Sequence, residues 1–360
     1  MSKPIRWGIW GAGEVARAVA SDLRRTTGGV LHAIGSRTDK SARELASVHN
    51  VQRVVTDLAK LIEDPELDIV YLATPHHLHA EDAVRCLQGG KAVLCEKPLA
   101  VNATQVGEIF ASARKAKRFC MEAMWTRFIP AVAQALRLVR EGAVGEVLSM
   151  SGDFSHPVTY QPDSRFFSQA LAGGALLDRG VYLISLAHAL LGEPIHVQAR
   201  ARKAPTGVDV HSSYLLEFSN GAIGQFYSSL SVRGTNSFTI EGERGRIVIQ
   251  QPFVCAHRLL VETYVPYTPR AEGSRPVGIA ARLKAAAKDF GLHRRLDSVR
   301  GVQRHLSAQS FPFAGNGYQF ELDDVMRCLR EGKLESTTMP LADSLAIART
   351  MDRLQAAWAQ

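Results

Sequence analysis

The chain has 360 residues, of which 46% are hydrophobic, 22% charged and 7% aromatic. These proportions are typical of a folded globular protein and exclude a disordered, a collagen-like or a disulfide-scaffold chain. At roughly 100–200 residues per domain, the length predicts two domains, each able to bury a core of its own.

The formal charge of +8 is unevenly distributed along the chain. Residues 270–305 hold nine Lys or Arg against three acidic residues, so the basic balance comes mostly from one segment. The charge therefore does not indicate a nucleic-acid-binding surface over the whole fold. Residues 265–312 fit neither periodicity of the flanking chain, and three interpretations stay open: a solvated surface excursion, an oligomerisation arm or an anion-binding lid.

The cysteines predict free thiols in a reducing compartment rather than a zinc site or a disulfide framework, because they are odd in number, scattered and without CxxC spacing. They are Cys86, Cys95, Cys120, Cys255 and Cys328. The first residues lack the pattern of a secretory signal. Apolar runs such as residues 69–73 are much shorter than the ~20 residues that span a bilayer. We therefore expect a cytoplasmic protein without a membrane partner.

The first third of the chain alternates short apolar runs with amphipathic helices, which is typical of βαβ units and a parallel sheet. The predicted strands are residues 5–10, 30–34, 69–73 and 92–95, and the predicted helices are residues 14–25, 40–49, 79–88 and 101–115. Beyond residue 122 the pattern changes to longer alternating runs with hairpin signals, which predicts an antiparallel sheet with helices on one face.

In this second part the predicted strands are residues 197–202, 212–218, 223–229, 237–241 and 246–250, and the predicted helices are residues 132–140, 176–191, 321–329 and 341–358. We place the domain boundary at residue 122. The domains are then residues 1–122 and 123–360, the latter carrying the basic insertion at 265–312.

A glycine-rich motif lies between the first strand and the first helix, the context in which G-x-G-x-x-G/A indicates dinucleotide binding. It runs Gly11-Ala12-Gly13-Glu14-Val15-Ala16. The first glycine permits the tight turn and the second a close approach of backbone to a pyrophosphate, which the free N–H groups of the helix terminus attract. The chain is therefore predicted to be an α/β protein, with an N-terminal Rossmann dinucleotide-binding domain and a C-terminal α+β domain with an open, mostly antiparallel sheet.

The turn after the second strand indicates which dinucleotide binds. A carboxylate at this turn would bind the ribose 2′-hydroxyl of NAD, but the sequence here is Gly35-Ser36-Arg37. Arg37 with Ser36 suits a 2′-phosphate. Asp39 is expected to be the N-cap of the next helix instead. The sequence favours NADP over NAD.

A second motif, Glu96-Lys97-Pro98, follows the strand at residues 92–95, at the sheet edge where α/β proteins bind ligands. The sequence resembles the Gfo/Idh/MocA oxidoreductase family in four motifs: the glycine turn, Ala73-Thr74-Pro75, Glu96-Lys97-Pro98 and Gly173-Gly174-Ala175-Leu176-Leu177-Asp178-Arg179-Gly180-Val181-Tyr182. The similarity covers residues 5–260 and 315–355. Residues 121–128 and 332–336 resemble the dimeric dihydrodiol dehydrogenase and NADP-dependent D-xylose dehydrogenase branch of this family.

The resemblance implies that Lys97 lies beside the nicotinamide and assists proton transfer, that the Lys97–Pro98 bond is often cis, and that the open sheet often forms the dimer interface. We therefore expect a homodimer or a higher homo-oligomer. Many members carry Asp and His four residues apart on the second-domain helix, and here the pair is Asp178 and Tyr182. Residues four apart share one helical face. Our hypothesis is that Tyr182 removes the substrate hydroxyl proton while Asp178 orients the substrate.

In this hypothesis the Lys97 ammonium polarises the substrate oxygen and lowers the pKa of Tyr182 from its usual ~10. The reverse assignment, with Lys97 as the base, stays open. The remaining expected cofactor-binding residues are Thr74, Pro75, His76, His79 and Glu96. Candidate walls of the substrate pocket are Trp125, Arg127, Phe154, His156 and Phe167. The run His76, His77 and His79 lacks a nearby carboxylate or thiolate, and we expect no metal site there.

We therefore predict an NADP-dependent oxidoreductase that moves a hydride between nicotinamide and a hydroxyl or carbonyl carbon of a small polyhydroxylated molecule. A sugar is the first choice of substrate and a trans-dihydrodiol the second. The alternative from another class is a non-catalytic, NADP-responsive regulatory protein, which would need neither Lys97 nor Tyr182.

Overall fold

In a computed structural model of the chain, residues 3–265 and 304–358 are described. The first sheet has six parallel strands in the order β3-β2-β1-β4-β5-β6. They are β1 (Ile5–Trp10), β2 (Gly29–Gly35), β3 (Arg53–Val55), β4 (Ile69–Leu72), β5 (Ala92–Glu96) and β6 (Cys120–Ala123). The helices between them are α1 (Glu14–Leu23), α2 (Asp39–His49), α3 (Leu58–Ile62), α4 (His79–Gln88) and α5 (Ala103–Ala116).

The central strands of this sheet are buried along their whole length, as helices on both faces require. Their carboxyl ends deliver the glycine turn after β1, Thr74 after β4 and Lys97 after β5 to one edge. The predicted Rossmann arrangement is confirmed. Its short elements β3, α3 and β6 were not predicted, since three to five residues carry too little periodicity.

The second sheet has eight strands in the order β14-β13-β12-β11-β7-β10-β9-β8, and every pair is antiparallel except β7 with β10. The strands are β7 (Val147–Ser155), β8 (His196–Lys203), β9 (Asp209–Glu217), β10 (Ile223–Ser229), β11 (Phe238–Gly242), β12 (Gly245–Ile249), β13 (Arg258–Tyr264) and β14 (Arg304–Ser310). The predicted open, mostly antiparallel sheet is therefore confirmed, with β7, β13 and β14 as strands the sequence analysis missed.

Strand β14 corrects part of the interpretation of the basic segment. Residues 304–310 pair with β13 in register from Arg258↔Ser310 to Tyr264↔Arg304, so they belong to the sheet. Residues 266–303, on which the surface, arm and lid interpretations depend, lie outside the described part of the chain.

The remaining helices are α6 (Pro130–Arg140), α7 (Val181–Leu191), α8 (Gln319–Arg330) and α9 (Leu341–Ala357). A π-helical turn, Leu176–Gly180, leads into α7. By length and composition, Gln169–Leu191 could cross a membrane, with a mean hydropathy of 1.3, which corrects our expectation that every apolar run is too short. However, 72% of the most apolar 18-residue stretch of this segment is buried inside the protein. There α7 packs under the second sheet and against α9.

The division into two domains at residue 122 stays a prediction. The last strand of the first sheet ends at Ala123, but α9 packs against α5, and the backbone N–H of Ala103 donates to Asp352 at 2.9 Å. All five cysteines are free, and four of them are buried.

Candidate active site

A cavity of about 640 Å³ extends from the glycine turn to α7. Its first end is lined by the predicted residues Gly11, Ala12, Gly13, Glu14, Val15, Ser36 and Arg37, and its middle by Thr74, Pro75, His76, Glu96 and Lys97. Its far end is lined by Phe154, His156, Arg165, Phe166, Asp178, Arg179, Tyr182 and Tyr318. The structure therefore brings together residues that lie more than 150 positions apart in the sequence.

The glycine turn fits a dinucleotide. Gly11 has φ +112°, and a Cβ there would lie 2.4 Å from the Ala73 carbonyl oxygen, so only glycine is tolerated. A Cβ on Gly13 would meet no atom within 4 Å, which leaves open space against the cavity. Gly13 is also the N-cap of α1. Since glycine has no side chain that could accept a hydrogen bond from the first turn, the first N–H groups of the helix remain free to bind an anion.

The turn after β2 places Ser36 and the exposed Arg37 in the cavity lining. Our expectation for Asp39 was wrong in detail, since Thr38 is the N-cap and Asp39 is the first residue of α2. The Asp39 carboxylate accepts from Arg43 Nε at 2.7 Å, because residues i and i+4 meet on the helix surface. The Asp39 carboxylate is thus paired with Arg43, and Asp39 does not line the cavity.

Lys97 is held in place at the carboxyl end of β5. Its Nζ donates to the Asp178 carbonyl oxygen at 2.8 Å and to Asp178 Oδ1 at 3.3 Å. The Lys97–Pro98 peptide bond is cis, as the resemblance implied. Behind it, Glu96 accepts hydrogen bonds from the Tyr71 hydroxyl and the Lys97 backbone N–H, and burial raises the pKa of the Glu96 carboxyl. The lysine is therefore anchored across the gap between β5 and the turn before α7.

Asp178 is surrounded by cations. Besides Lys97, Arg165 Nη1 donates to its Oδ1 at 3.0 Å, and Arg179 Nε lies 3.7 Å from its Oδ2. Burial alone would raise the pKa of this carboxyl, but the positive charges of Lys97, Arg165 and Arg179 outweigh burial and hold the pKa well below its usual range. Asp178 is therefore ionised at neutral pH.

Tyr182 lies four residues beyond Asp178, and its hydroxyl oxygen accepts from Trp125 Nε1 at 3.2 Å. Burial raises the pKa of Tyr182 well above its usual value, and the Glu96 carboxylate adds to the rise. The expected lowering of this pKa by Lys97 is wrong for this structure, because burial dominates, and Lys97 Nζ lies over the face of the ring at 4.9 Å from its centroid. Tyr182 is therefore a neutral phenol that can donate a proton.

The two histidines after β4 differ in position. His76 lines the cavity, and burial lowers its pKa to about 3, so the ring is neutral. His79 is fully buried, with Nδ1 2.8 Å from the Pro98 carbonyl oxygen and Nε2 2.7 Å from the Thr74 carbonyl oxygen, and burial lowers its pKa. A neutral ring donates to one of these two oxygens. The expectation that His79 binds cofactor is wrong, because both nitrogens face backbone carbonyl oxygens and the side chain does not line the cavity. Among the described residues, no group of three His, Cys, Asp or Glu is placed to hold a metal ion.

Of the five expected walls of the substrate pocket, Phe154 and His156 line the cavity and three residues do not. Phe167 is only 3% exposed and packs with Ala175, Val210 and Leu230 in a separate apolar cluster. Trp125 lies behind the wall, between the Tyr182 hydroxyl and the ring of Tyr318, on which it stacks at 4.6 Å. These corrections share one cause, since aromatic side chains near a domain interface are frequently core residues.

Arg127 is also wrong as a substrate residue, because its guanidinium is 2% exposed and fully engaged. It donates to Ser185 Oγ and to the Ser185 carbonyl oxygen, both at 2.8 Å, and to Asp343 Oδ2 at 2.6 Å. These bonds connect the turn before α6, α7 and the start of α9. Arg127 is therefore part of the scaffold.

We expect the substitution Asp343→Ala to lower the free energy of unfolding by about 3 kcal/mol or more, because it leaves a buried guanidinium without its carboxylate. Urea denaturation measures this value. The matched control is Glu66→Ala, whose ion pair with Arg6 is 31–58% exposed and should contribute less than about 1 kcal/mol. Equal losses in the two variants would contradict the role given to Arg127.

Four residues of the far end were missed by the sequence analysis: Arg165, Phe166, Arg179 and Tyr318. Tyr318 precedes α8, where its backbone N–H and that of Asn316 donate to the buried carboxylate of Asp22 in α1. No local sequence pattern identifies Tyr318 as a cavity residue. Arg179, in contrast, directly follows Asp178, and a charged residue at the start of an otherwise apolar helix indicates a functional position.

Comparison with known proteins places this arrangement in a family. Residues 5–124 match the oxidoreductase family with an NAD-binding Rossmann fold, and residues 132–248 match the C-terminal domain of the same family. A trans-1,2-dihydrobenzene-1,2-diol dehydrogenase of Homo sapiens is 31% identical over 359 residues, which cover 98% of this chain and 96% of the human protein. The chain belongs to the Gfo/Idh/MocA oxidoreductase family, which confirms the resemblance seen in the motifs.

Solved structures share the whole fold. An aldose-aldose oxidoreductase from Caulobacter crescentus superposes with a TM-score of 0.80 at 23% identity, covering 99% of this chain and 98% of that one. A levoglucosan dehydrogenase with NADH and L-sorbose gives 0.82 at 23% identity, covering 99% and 97%. A 3-ketoreductase from Actinomadura kijaniata with NADP and TDP-benzene gives 0.79 at 25% identity, covering 99% and 98%.

Proposed function

We propose that this protein is an NADP(H)-dependent dehydrogenase that interconverts a secondary alcohol or hemiacetal with the corresponding carbonyl compound on a sugar or a related polyhydroxylated molecule. The observation that carries the proposal is the single cavity joining the glycine turn to Lys97, Asp178 and Tyr182. A trans-dihydrodiol is the second candidate substrate, favoured by the human relative and its 31% identity.

The contact between Lys97 and Asp178 argues against a non-catalytic regulatory protein. A sensor needs the dinucleotide site, but it does not need a buried ammonium and a phenol at the far end of the same cavity. Burying such charges costs free energy of folding, and groups of this kind cluster at functional sites.

NADP is the proposed cofactor because Ser36 and Arg37 line the cavity at the turn that follows β2, and no carboxylate lines the cavity at that turn. The comparison structures hold NADH in one case and NADP in another, so the fold itself does not select between them. A guanidinium binds a phosphate monoester through charge-assisted hydrogen bonds.

The substitution Arg37→Gln is expected to lower kcat/KM for NADP⁺ by about 10- to 100-fold, the equivalent of the ~1.5–3 kcal/mol of a charge-assisted hydrogen bond. The value for NAD⁺ should change by less than about threefold. Initial rates with both cofactors measure the split, and Arg114→Gln on α5 is the control. A uniform loss with both cofactors would refute a 2′-phosphate contact.

For the chemistry, a nicotinamide dinucleotide held by the glycine turn and Arg37 would supply hydride transfer to or from the substrate carbon. Tyr182 exchanges the proton with the substrate oxygen: it donates in carbonyl reduction and, by microscopic reversibility, receives the proton in alcohol oxidation. The Lys97 ammonium stabilises negative charge that develops on that oxygen. Asp178 holds Lys97 and accepts a hydrogen bond from a substrate hydroxyl. The assignment with Lys97 as the proton acceptor remains the alternative, and the pH profiles below separate the two.

The deciding experiment mixes the purified protein with NADP⁺ or NAD⁺ and a panel of aldoses, polyols and trans-dihydrodiols, and follows the absorbance of the reduced cofactor. Reduction of NADP⁺ by a panel member supports the proposal and selects the substrate branch. Tight NADPH binding without any turnover, in both directions, would support the regulatory alternative.

We also propose a cytoplasmic homodimer that pairs through the outer face of the second sheet. Leu215 and Ile223 are 42% and 44% exposed on that face, while Phe226 on the inner face is buried. Exposed apolar side chains on neighbouring strands are typical of an interface. Light scattering should give twice the 39.3 kDa chain mass, and Leu215→Arg should shift the protein toward the monomer.

A further inference from the structure

The far end of the cavity holds more positive than negative charge. Lys97, Arg165 and Arg179 all approach Asp178, so three cations face one carboxylate. Glu96, which lines the middle of the cavity, is turned to the Tyr71 hydroxyl and the Lys97 backbone. The charge of Asp178 is therefore shared among three partners, and none of them is fully neutralised.

Both arginines keep free donors. Arg165 uses Nη1 for Asp178 and lies over the ring of Phe166 at 3.9 Å, and its side chain is 52% exposed. Arg179 uses Nη1 for the carbonyl oxygens of His156 and Ser229. Within residues 3–265 and 304–358, Nε and Nη2 of Arg165 and Nη2 of Arg179 have no hydrogen-bond partner, although both side chains line the cavity.

The two guanidinium groups also repel each other. Burial lowers the pKa of Arg179; Asp178 opposes the shift and Arg165 adds to it. An anion that binds between the two guanidinium groups would reduce the repulsion that the single Asp178 carboxylate leaves. Guanidinium N–H groups bind a carboxylate or a phosphate through paired, charge-assisted hydrogen bonds.

We propose that the polyhydroxylated substrate carries an anionic group, a carboxylate or a phosphate ester, and that Arg165 and Arg179 bind this group beside Asp178. The inference rests on the proposed function and narrows its substrate class. A neutral sugar would leave both free donor sets to water, whereas an anionic one gains their hydrogen bonds in a partly desolvated site.

The test uses substrates that differ in one group. D-glucose, D-glucuronate and D-glucose 6-phosphate differ only at C6, and D-galactose with D-galacturonate forms a second series. The measured quantity is kcat/KM with NADP⁺, expressed as the ratio of the anionic to the neutral sugar. We expect a ratio of at least about 10 in the unmodified protein and close to 1 in Arg165→Gln. Arg140→Gln, an exposed arginine at the end of α6, is the control and should keep the ratio.

Arg165→Gln is the informative variant because its side chain is half exposed, whereas Arg179 also supports two backbone carbonyls. A ratio near 1 in the unmodified protein overturns the inference. So does an equal fall for both sugars in Arg165→Gln, since Arg165 would then only position Asp178. A higher kcat/KM for the phosphate than for the uronate assigns a phosphate ester, and the reverse assigns a carboxylate.

A binding measurement separates this inference from the proposed function. Calorimetric titration of D-glucuronate, D-glucose 6-phosphate and D-glucose is carried out with NADPH at saturation, so that the pyrophosphate site is filled. Binding of an anion at least about tenfold tighter than glucose, lost in Arg165→Gln, supports the anion site even if no sugar is oxidised. Equal binding of the three sugars, or no binding of any, overturns the inference regardless of activity.

Discussion

Replacing Lys97 with methionine is expected to lower kcat by about 10³-fold, because the variant loses the ammonium that stabilises negative charge on the substrate oxygen. Methionine replaces the apolar stem of the side chain with one of the same length and lacks only the terminal ammonium. NADPH binding should stay within about threefold, since the glycine turn and Arg37 are untouched. Steady-state rates and a fluorescence titration of NADPH measure the two effects.

Lys60→Met is the matched control, since Lys60 is exposed on α3 and forms a surface ion pair with Glu63. A Lys97→Met protein that retains more than a tenth of the parent rate would remove Lys97 from the chemistry. A protein that also loses NADPH binding would instead assign Lys97 mainly to the cofactor.

Replacing Tyr182 with phenylalanine is expected to lower kcat/KM by about 10²- to 10⁴-fold, the usual range for loss of a positioned proton donor or acceptor. The ring should stay in place, since it packs edge to face with Phe154 at 5.4 Å, and only Trp125 Nε1 loses its acceptor. Tyr264→Phe, which removes a hydroxyl bonded to the Gly242 carbonyl oxygen far from the cavity, is the control. Full activity in Tyr182→Phe would refute the role.

The pH dependence of the two reaction directions tests the same role of Tyr182. Burial raises the pKa of Tyr182, so the neutral phenol persists through neutral pH. Carbonyl reduction needs this phenol and should stay level until the pH approaches the raised pKa. Alcohol oxidation needs the phenolate and should rise with pH over the same range. If Lys97 were the proton acceptor, the rise would survive in Tyr182→Phe and disappear in Lys97→Met.

Local sequence patterns were sufficient to predict the features that depend on a single turn or on the hydrophobic periodicity of a single helix or strand. The glycine turn, Arg37 after β2 and Lys97 after β5 follow from the order of strands and helices, because the carboxyl ends of parallel strands meet at one edge. Strand β7 was missed although it lies at the middle of the second sheet, since its sequence mixes polar and small residues on both faces.

Features that depend on long-range packing could not be predicted from single residues. Arg127 and His79 carry the residue types of binding sites, and only the positions of Ser185, Asp343 and Pro98 show that they are structural. The sequence predicts a lowered pKa for Tyr182 because Lys97 is near, but burial raises it, and burial depends on the packing of distant segments. Tyr318 reaches the cavity from a segment more than 130 residues beyond Tyr182.

The contacts of the last two helices have a consequence for engineering. Asp22 of α1 depends on the backbone that leads into α8, and α5 is covered by α9 through the Ala103–Asp352 bond and the buried Leu341 and Ala348. A fragment cut after the first sheet would expose an apolar helix face and a buried carboxylate. Chimeras that exchange cofactor-binding halves between relatives should therefore carry residues 316–357 with the N-terminal half, as one discontinuous unit.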